Sequence, residues 1–145
     1  MQQTREQLIQ EFILKMKQVM KITRLTSYSF NGETITGPQA HLLFRISKEK
    51  TGVSMKELAE QLCVTSGAIT QFIDELVEKK LLVRKPSSVD RRTVKVQLSE
   101  SALMHLEVFK QEYIKIITPR FAKLTDEELQ QLTRLFDKIG TGDEV

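Results

Sequence analysis

The sequence predicts a mainly α fold carrying one small β-hairpin. Three observations lead there. Apolar residues recur at helical spacing through most of the chain. Ser or Thr followed three positions later by Glu or Gln marks several helix starts. The period drops to two in a single stretch, residues 81–98. With 145 residues and 40% apolar composition, the chain can bury a core in one compact domain or two closely joined lobes.

The first helix, roughly Thr4 to Thr26, sets Leu8, Phe12, Met16 and Val19 on one stripe, flanked by Ile9, Ile13 and Met20. That face is wide enough to pack against more than one neighbour. Between Ser27 and Ile35, Asn31-Gly32 signals a turn. Thr36 and Gln39 form a capping box with Pro38 in the first turn. It opens a second helix to about Lys50, with Ala40, Leu43 and Ile46 inward and Leu42 and Phe44 widening the stripe. Thr51-Gly52 ends it.

Ser54 and Glu57 form the next capping box, starting a short helix from Met55 to Leu62. Cys63 and Val64 make a tight connection, and Thr65 caps a fourth helix to about Lys80. Ile69, Phe72, Ile73, Leu76 and Val77 face inward at i, +3, +4, +7, +8, while Ser66, Gly67, Thr70, Gln71, Asp74 and Glu75 lie opposite. Leu81 to Lys85 reads as a strand. Thr93 to Leu98 alternates Val94, Val96 and Leu98 with Lys95 and Gln97, and the polar turn PSSVDRR joins the two runs into a hairpin with a basic tip. Ser99 caps a long helix bearing Leu103, Leu106, Phe109, Tyr113 and Ile117 on one side, ended or kinked by Pro119. Thr125 with Glu128 opens a last helix, striped by Leu129, Leu132, Leu135, Phe136 and Ile139 and stopped by Gly140.

The net charge of +3 is modest, but its placement is not. Arg84, Lys85, Arg91, Arg92 and Lys95 crowd into residues 84–95 against Asp90 alone, leaving the rest of the chain slightly negative. A local basic surplus of this kind is an electrostatic footprint for phosphate. No run nears the about 18 apolar residues a membrane span needs, and the polar start MQQTREQLIQEF lacks a signal-peptide pattern, so a cytoplasmic location is expected. A lone Cys63 excludes an internal disulfide and a thiolate cluster within one chain, and suits a small packing residue in the bend. His41 and His105 lack a second ligand at helical spacing, so neither metal nor cofactor is expected.

Two short helices joined by a tight turn, then a basic hairpin, make a winged helix-turn-helix. A helix enters the major groove of DNA when one face is apolar and the other carries small hydrogen-bonding groups near its N-terminus. Ser66, Gly67, Thr70 and Gln71 meet that condition. Gln71 suits adenine N6/N7, Thr70 a thymine methyl or a hydrogen-bonding edge, Gly67 a close backbone approach, and Thr65 both a cap and a phosphate donor. Asp74, Glu75 and Glu78, further along, face away from DNA or pair with Arg and Lys, so the helix enters by its N-terminus. In the wing, Arg92 suits a narrow A·T-rich minor groove, with Asp90 steadying its guanidinium through a bidentate pair. Arg91 and Lys85 suit phosphates.

The motifs LAEQL, VTSGAIT, IDELVEKKLLVR and DRRTVKVQLS resemble the MarR (multiple antibiotic resistance regulator) family, and the order of the flanking helices resembles it too. The resemblance implies a homodimer with the first and last two helices interlocked. It implies a pseudo-palindromic operator in double-stranded DNA, bound as a repressor and released by a small-molecule effector. It carries Thr65, Ser66, Thr70, Gln71, Asp90 and Arg92 over as DNA-contact or wing positions. The expected division is a dimerisation helix at 1–34, a DNA-binding region at 35–98 and dimerisation helices at 99–145. Where the family often has KGL, this chain has Lys79-Lys80-Leu81-Leu82, which alters the helix C-cap. The cysteine of the family's redox-sensing branch has no counterpart in the first helical region.

Two rivals stand beside the regulator. An enzyme lacks any GxGxxG, P-loop, HExxH, CxxC or nucleophile-elbow pattern here. A winged-helix module that binds protein, or a redox- or metal-responsive regulator, shares the fold, but a protein partner does not demand so basic a hairpin.

Overall fold

A computed structural model of the chain describes residues 2–62 and 64–140; the packing role expected of Cys63 lies outside them. Residues 1–109 and 110–145 form two compact units.

In the first unit, α1 (Arg5–Leu25) begins at a Thr4–Gln7 capping box, a start signal beyond those expected from the sequence, and it buries none of its residues. The chain then forms a hairpin where only a turn was expected. Strands β1 (Ser27–Phe30) and β2 (Glu33–Thr36) pair antiparallel with Phe30 opposite Glu33. The two-residue loop Asn31-Gly32 takes φ of 52° and 81°, the left-handed pair that matches strand twist. Tyr28, Phe30 and Ile35 point inward. Phe30 stacks on Phe109 with centroids 4.4 Å apart, and Phe44 stacks on the same ring at 5.2 Å.

Thr36 and Gln39 close the expected capping box on α2 (Gly37–Ser47), with Pro38 in its first turn. The helix stops short of Lys50. Gly37 is required by contact, because a Cβ there would lie 2.4 Å from the Thr23 carbonyl oxygen of α1. Leu42, Leu43 and Ile46 are fully buried from this helix.

A two-residue strand, β3 (Val53–Ser54), precedes α3 (Met55–Leu62), whose start is capped reciprocally by Ser54 and Glu57. Helix α4 (Ser66–Glu78) follows, then β4 (Leu82–Pro86) and β5 (Val94–Leu98). The three strands form one antiparallel sheet in the order β3-β5-β4, so the expected hairpin gains a third strand through Val53 opposite Val96. Val96 and Leu98 are buried, while Val94, at the tip end, is exposed. Helix α5 (Glu100–Ile117) starts at Ser99, whose hydroxyl accepts the Ala102 N–H.

The second unit holds the end of α5, a 3-10 turn at Thr118–Phe121 containing Pro119, and α6 (Asp126–Gly140). Pro119 ends α5 as expected, and Thr125 and Glu128 cap α6 reciprocally. Helix α6 buries no residue, and Leu135, Phe136 and Ile139 of its stripe are exposed. No helix among the described residues is long and apolar enough to cross a membrane.

Candidate nucleic-acid interface

Helix α4 turns on its apolar stripe. Ile69, Ile73 and Leu76 are fully buried, and they leave Ser66, Gly67, Thr70 and Gln71 exposed at its N-terminal end. Thr65 caps the helix by accepting the Ala68 N–H at 3.2 Å. Its hydroxyl hydrogen is still available to an outside acceptor. Thr70 differs, because its hydroxyl donates to the Ser66 carbonyl at 2.9 Å. What Thr70 presents outward is a methyl group and an acceptor, which favours a thymine methyl over an acceptor edge. A Cβ on Gly67 would meet nothing within 4 Å. The fold does not require glycine there, and the open space lies on the outer side.

The carboxylates further along α4 divide. Asp74 pairs with Arg84 of β4, as expected of a carboxylate beside a basic wing. Glu75, expected on the outer face, instead turns inward at the edge of the stripe. Its carboxylate accepts the Gln39 side-chain N–H at 2.7 Å. Gln39 is only 2% exposed and spends its carbonyl oxygen on the Thr36 N–H, so one buried amide ties the start of α2 to α4. A second tie runs from the Lys79 ammonium to the Thr34 carbonyl of β2. Sequence patterning carries no signal for either long-range bond.

At its far end α4 closes with the pair of bonds that terminates many helices in a left-handed residue. The Lys80 N–H donates to the Val77 carbonyl and the Leu81 N–H to the Leu76 carbonyl, at 2.9 and 3.0 Å. The left-handed position belongs to Lys80, with φ of 60°. The missing glycine therefore leaves the C-cap geometry in place and puts a side chain where a Cβ is disfavoured.

The wing tip is internally braced. Its ends join through Ser87 N–H to Thr93 carbonyl, 2.8 Å, and Thr93 N–H to Asp90 carbonyl, 3.0 Å. Ser87, 6% exposed, accepts the N–H groups of Val89 and Asp90 on its hydroxyl. In the sequence it stands out only as part of a polar turn. Asp90 was expected to hold the Arg92 guanidinium. Its carboxylate instead accepts the Arg92 backbone N–H at 3.0 Å, because the turn brings the main chain within reach first. Arg91, Arg92 and Lys85 are exposed, and no carboxylate pairs with them among the described residues.

A helix with a small polar end, docked through Asp74–Arg84 to a stiff basic hairpin, defines a winged helix-turn-helix regulator. The model of the MarR family matches residues 35–94, from the α2 cap to the wing. The HTH-type transcriptional regulator YpoP of Bacillus subtilis (strain 168), itself described as uncharacterized, is 33% identical over 97 residues, 67% of this chain and 69% of its own. The chain belongs to the MarR family of transcriptional regulators. Among solved structures it resembles a cysteine-to-serine mutant of MarR from E. coli complexed with operator DNA. That match has 29% identity and a TM-score of 0.63 over 72% of this chain and 75% of that one. The transcriptional regulator SlyA shares the fold at 16% identity, with a TM-score of 0.69 over 91% and 90% of the two chains.

Proposed function

We propose that this regulator is a cytoplasmic repressor that binds a pseudo-palindromic operator as a homodimer and blocks promoter access sterically. Thr65, Ser66, Gly67, Thr70 and Gln71 meet the major groove. Arg92 enters the adjacent minor groove, Asp90 shapes the tip that carries it, and Arg91 and Lys85 hold phosphates. The observation that supports this most is the Asp74–Arg84 pair, which joins the two DNA-facing elements into one outer surface.

The dimer reading rests on α1 and α6, which bury none of their residues and expose large apolar side chains, Leu8, Ile9, Ile13 and Val19 on α1 and Leu135 and Ile139 on α6. Faces this apolar call for a partner, and a second copy supplies an identical pair of helices. The regions at 1–34 and 99–145 then hold two reading regions at 35–98 about 34–36 Å apart, one helical turn of DNA. A small-molecule effector that changes this spacing releases the operator.

Gel-shift titration of the full chain against genomic fragments, at low and at raised salt, tests the reading. Discrete shifts on a subset of fragments that survive competitor DNA support it. Behaviour independent of DNA at both salts would instead favour a module that binds protein.

A further inference from the structure

The wing sheet has two faces, and the recognition helix uses one. Arg84, opposite Val96, shares its face with the buried Val53–Val96 pair and reaches Asp74. The alternate residues therefore point the other way. On that outer face Lys85 of β4 stands directly opposite Lys95 of β5, and Ser54 of β3 continues the row. Like charges placed directly opposite across two strands are destabilising. Neither ammonium forms an ion pair with a carboxylate among the described residues. Gly52 lies close against the base of Lys95: a Cβ there, at φ of 86°, would be 3.2 Å from the Lys95 Cβ.

We propose that Lys85 and Lys95 form a two-lysine clamp for one DNA phosphodiester, on the side of the wing turned away from α4. The inference rests on the DNA-binding reading above and adds Lys95 and the second face to it. A minor groove about 6 Å wide is walled by two sugar-phosphate backbones. A tip inserted there has one wall on the α4 side, shared with the major groove, and one wall beyond. The lysine pair lies one register step behind Pro86–Val94, the last pair of the β4–β5 ladder before the tip. At about 3.3 Å per residue, long lysine stems reach the far wall from that position. A phosphodiester placed between the two ammonium groups removes their mutual repulsion.

The test uses the full chain and a labelled duplex selected by the wild-type protein from a random-sequence pool. Lys85→Gln and Lys95→Gln should each weaken binding by about fivefold. The double variant, which leaves the phosphodiester with neither lysine, should also make the slope of log K against log salt shallower by about one for each clamped phosphate, and each single variant by less. Lys85→Glu should raise the urea midpoint by supplying an opposite-charge pair to Lys95, while weakening DNA binding further. Wild-type affinity in both glutamine variants would overturn the clamp, and so would an unchanged slope in the double variant or a full, additive slope loss from each lysine, which would mean two separate phosphates. Failure of the wild type to select any duplex would instead count against the DNA-binding reading itself.

Discussion

Asp74 on α4 and Arg84 on β4 form an ion pair that joins the recognition helix to the wing. Both side chains are partly open to solvent, at 58% and 36%, so the pair adds little to global stability, on the order of 0.5 kcal/mol. Its effect is directional: it links α4 to β4, the two elements that the proposed function sets against one duplex.

Arg84→Ala should therefore cost less than about 1 kcal/mol in urea unfolding yet lower operator affinity severalfold. The salt dependence of binding should be unchanged, since Arg84 is spent on Asp74 and not on a phosphate. The exchanged pair Asp74→Arg with Arg84→Asp should recover part of the affinity. A reduced salt slope in Arg84→Ala would show that this arginine contacts DNA directly.

Asp90 acts on the main chain of Arg92. An amide oxygen can accept the same N–H, so Asp90→Asn should keep near-native DNA affinity, while Asp90→Ala should bind about tenfold more weakly by loosening the tip. Equal weakening in both variants, measured by fluorescence anisotropy, would restore the guanidinium pairing that the residue order alone suggests.

Gly67 has open space around it. Gly67→Ala should leave the fold intact and stabilise α4 by about 0.5 kcal/mol, yet weaken DNA binding because the added methyl points outward. Paired thermal denaturation and gel-shift measurements check this opposition. Gain in stability with undiminished binding would remove Gly67 from the interface.

Lys80 holds a left-handed backbone that glycine adopts without a Cβ penalty. Lys80→Gly should raise stability by about 1 kcal/mol, the left-handed cost less the added freedom of the unfolded chain. A drop in the urea midpoint would mean the lysine side chain contributes more than its backbone strain removes.

The caps are readable from sequence because they are local: Thr36–Gln39, Ser54–Glu57, Thr65 and Thr125–Glu128 each act within three residues. The inner stripe of α4 is readable for the same reason. The β1–β2 hairpin is within reach too, since Asn31-Gly32 sits between Tyr28, Phe30 and Ile35 at alternating positions, and that alternation is a hairpin signal once it is read with the turn. Strand β3 is not, because two residues have no period and exist as a strand only through pairing with β5. Glu75 defies its sequence pattern because it borders the apolar stripe, and Gln39, 36 residues earlier, decides which way it turns. At the interface, residue types at the tip of α4 and in the wing are legible. Which hydroxyl hydrogens are already used, and that Asp90 serves the backbone, depend on geometry.

Hydroxyl-radical footprinting on a selected operator, comparing wild type with Arg92→Ala, tests the central claim most directly. The account predicts protected backbone beside one major groove and the next minor groove in each half-site. In the variant alone, the minor-groove protection should vanish and the affinity should fall. An unaltered footprint and affinity in Arg92→Ala would contradict it.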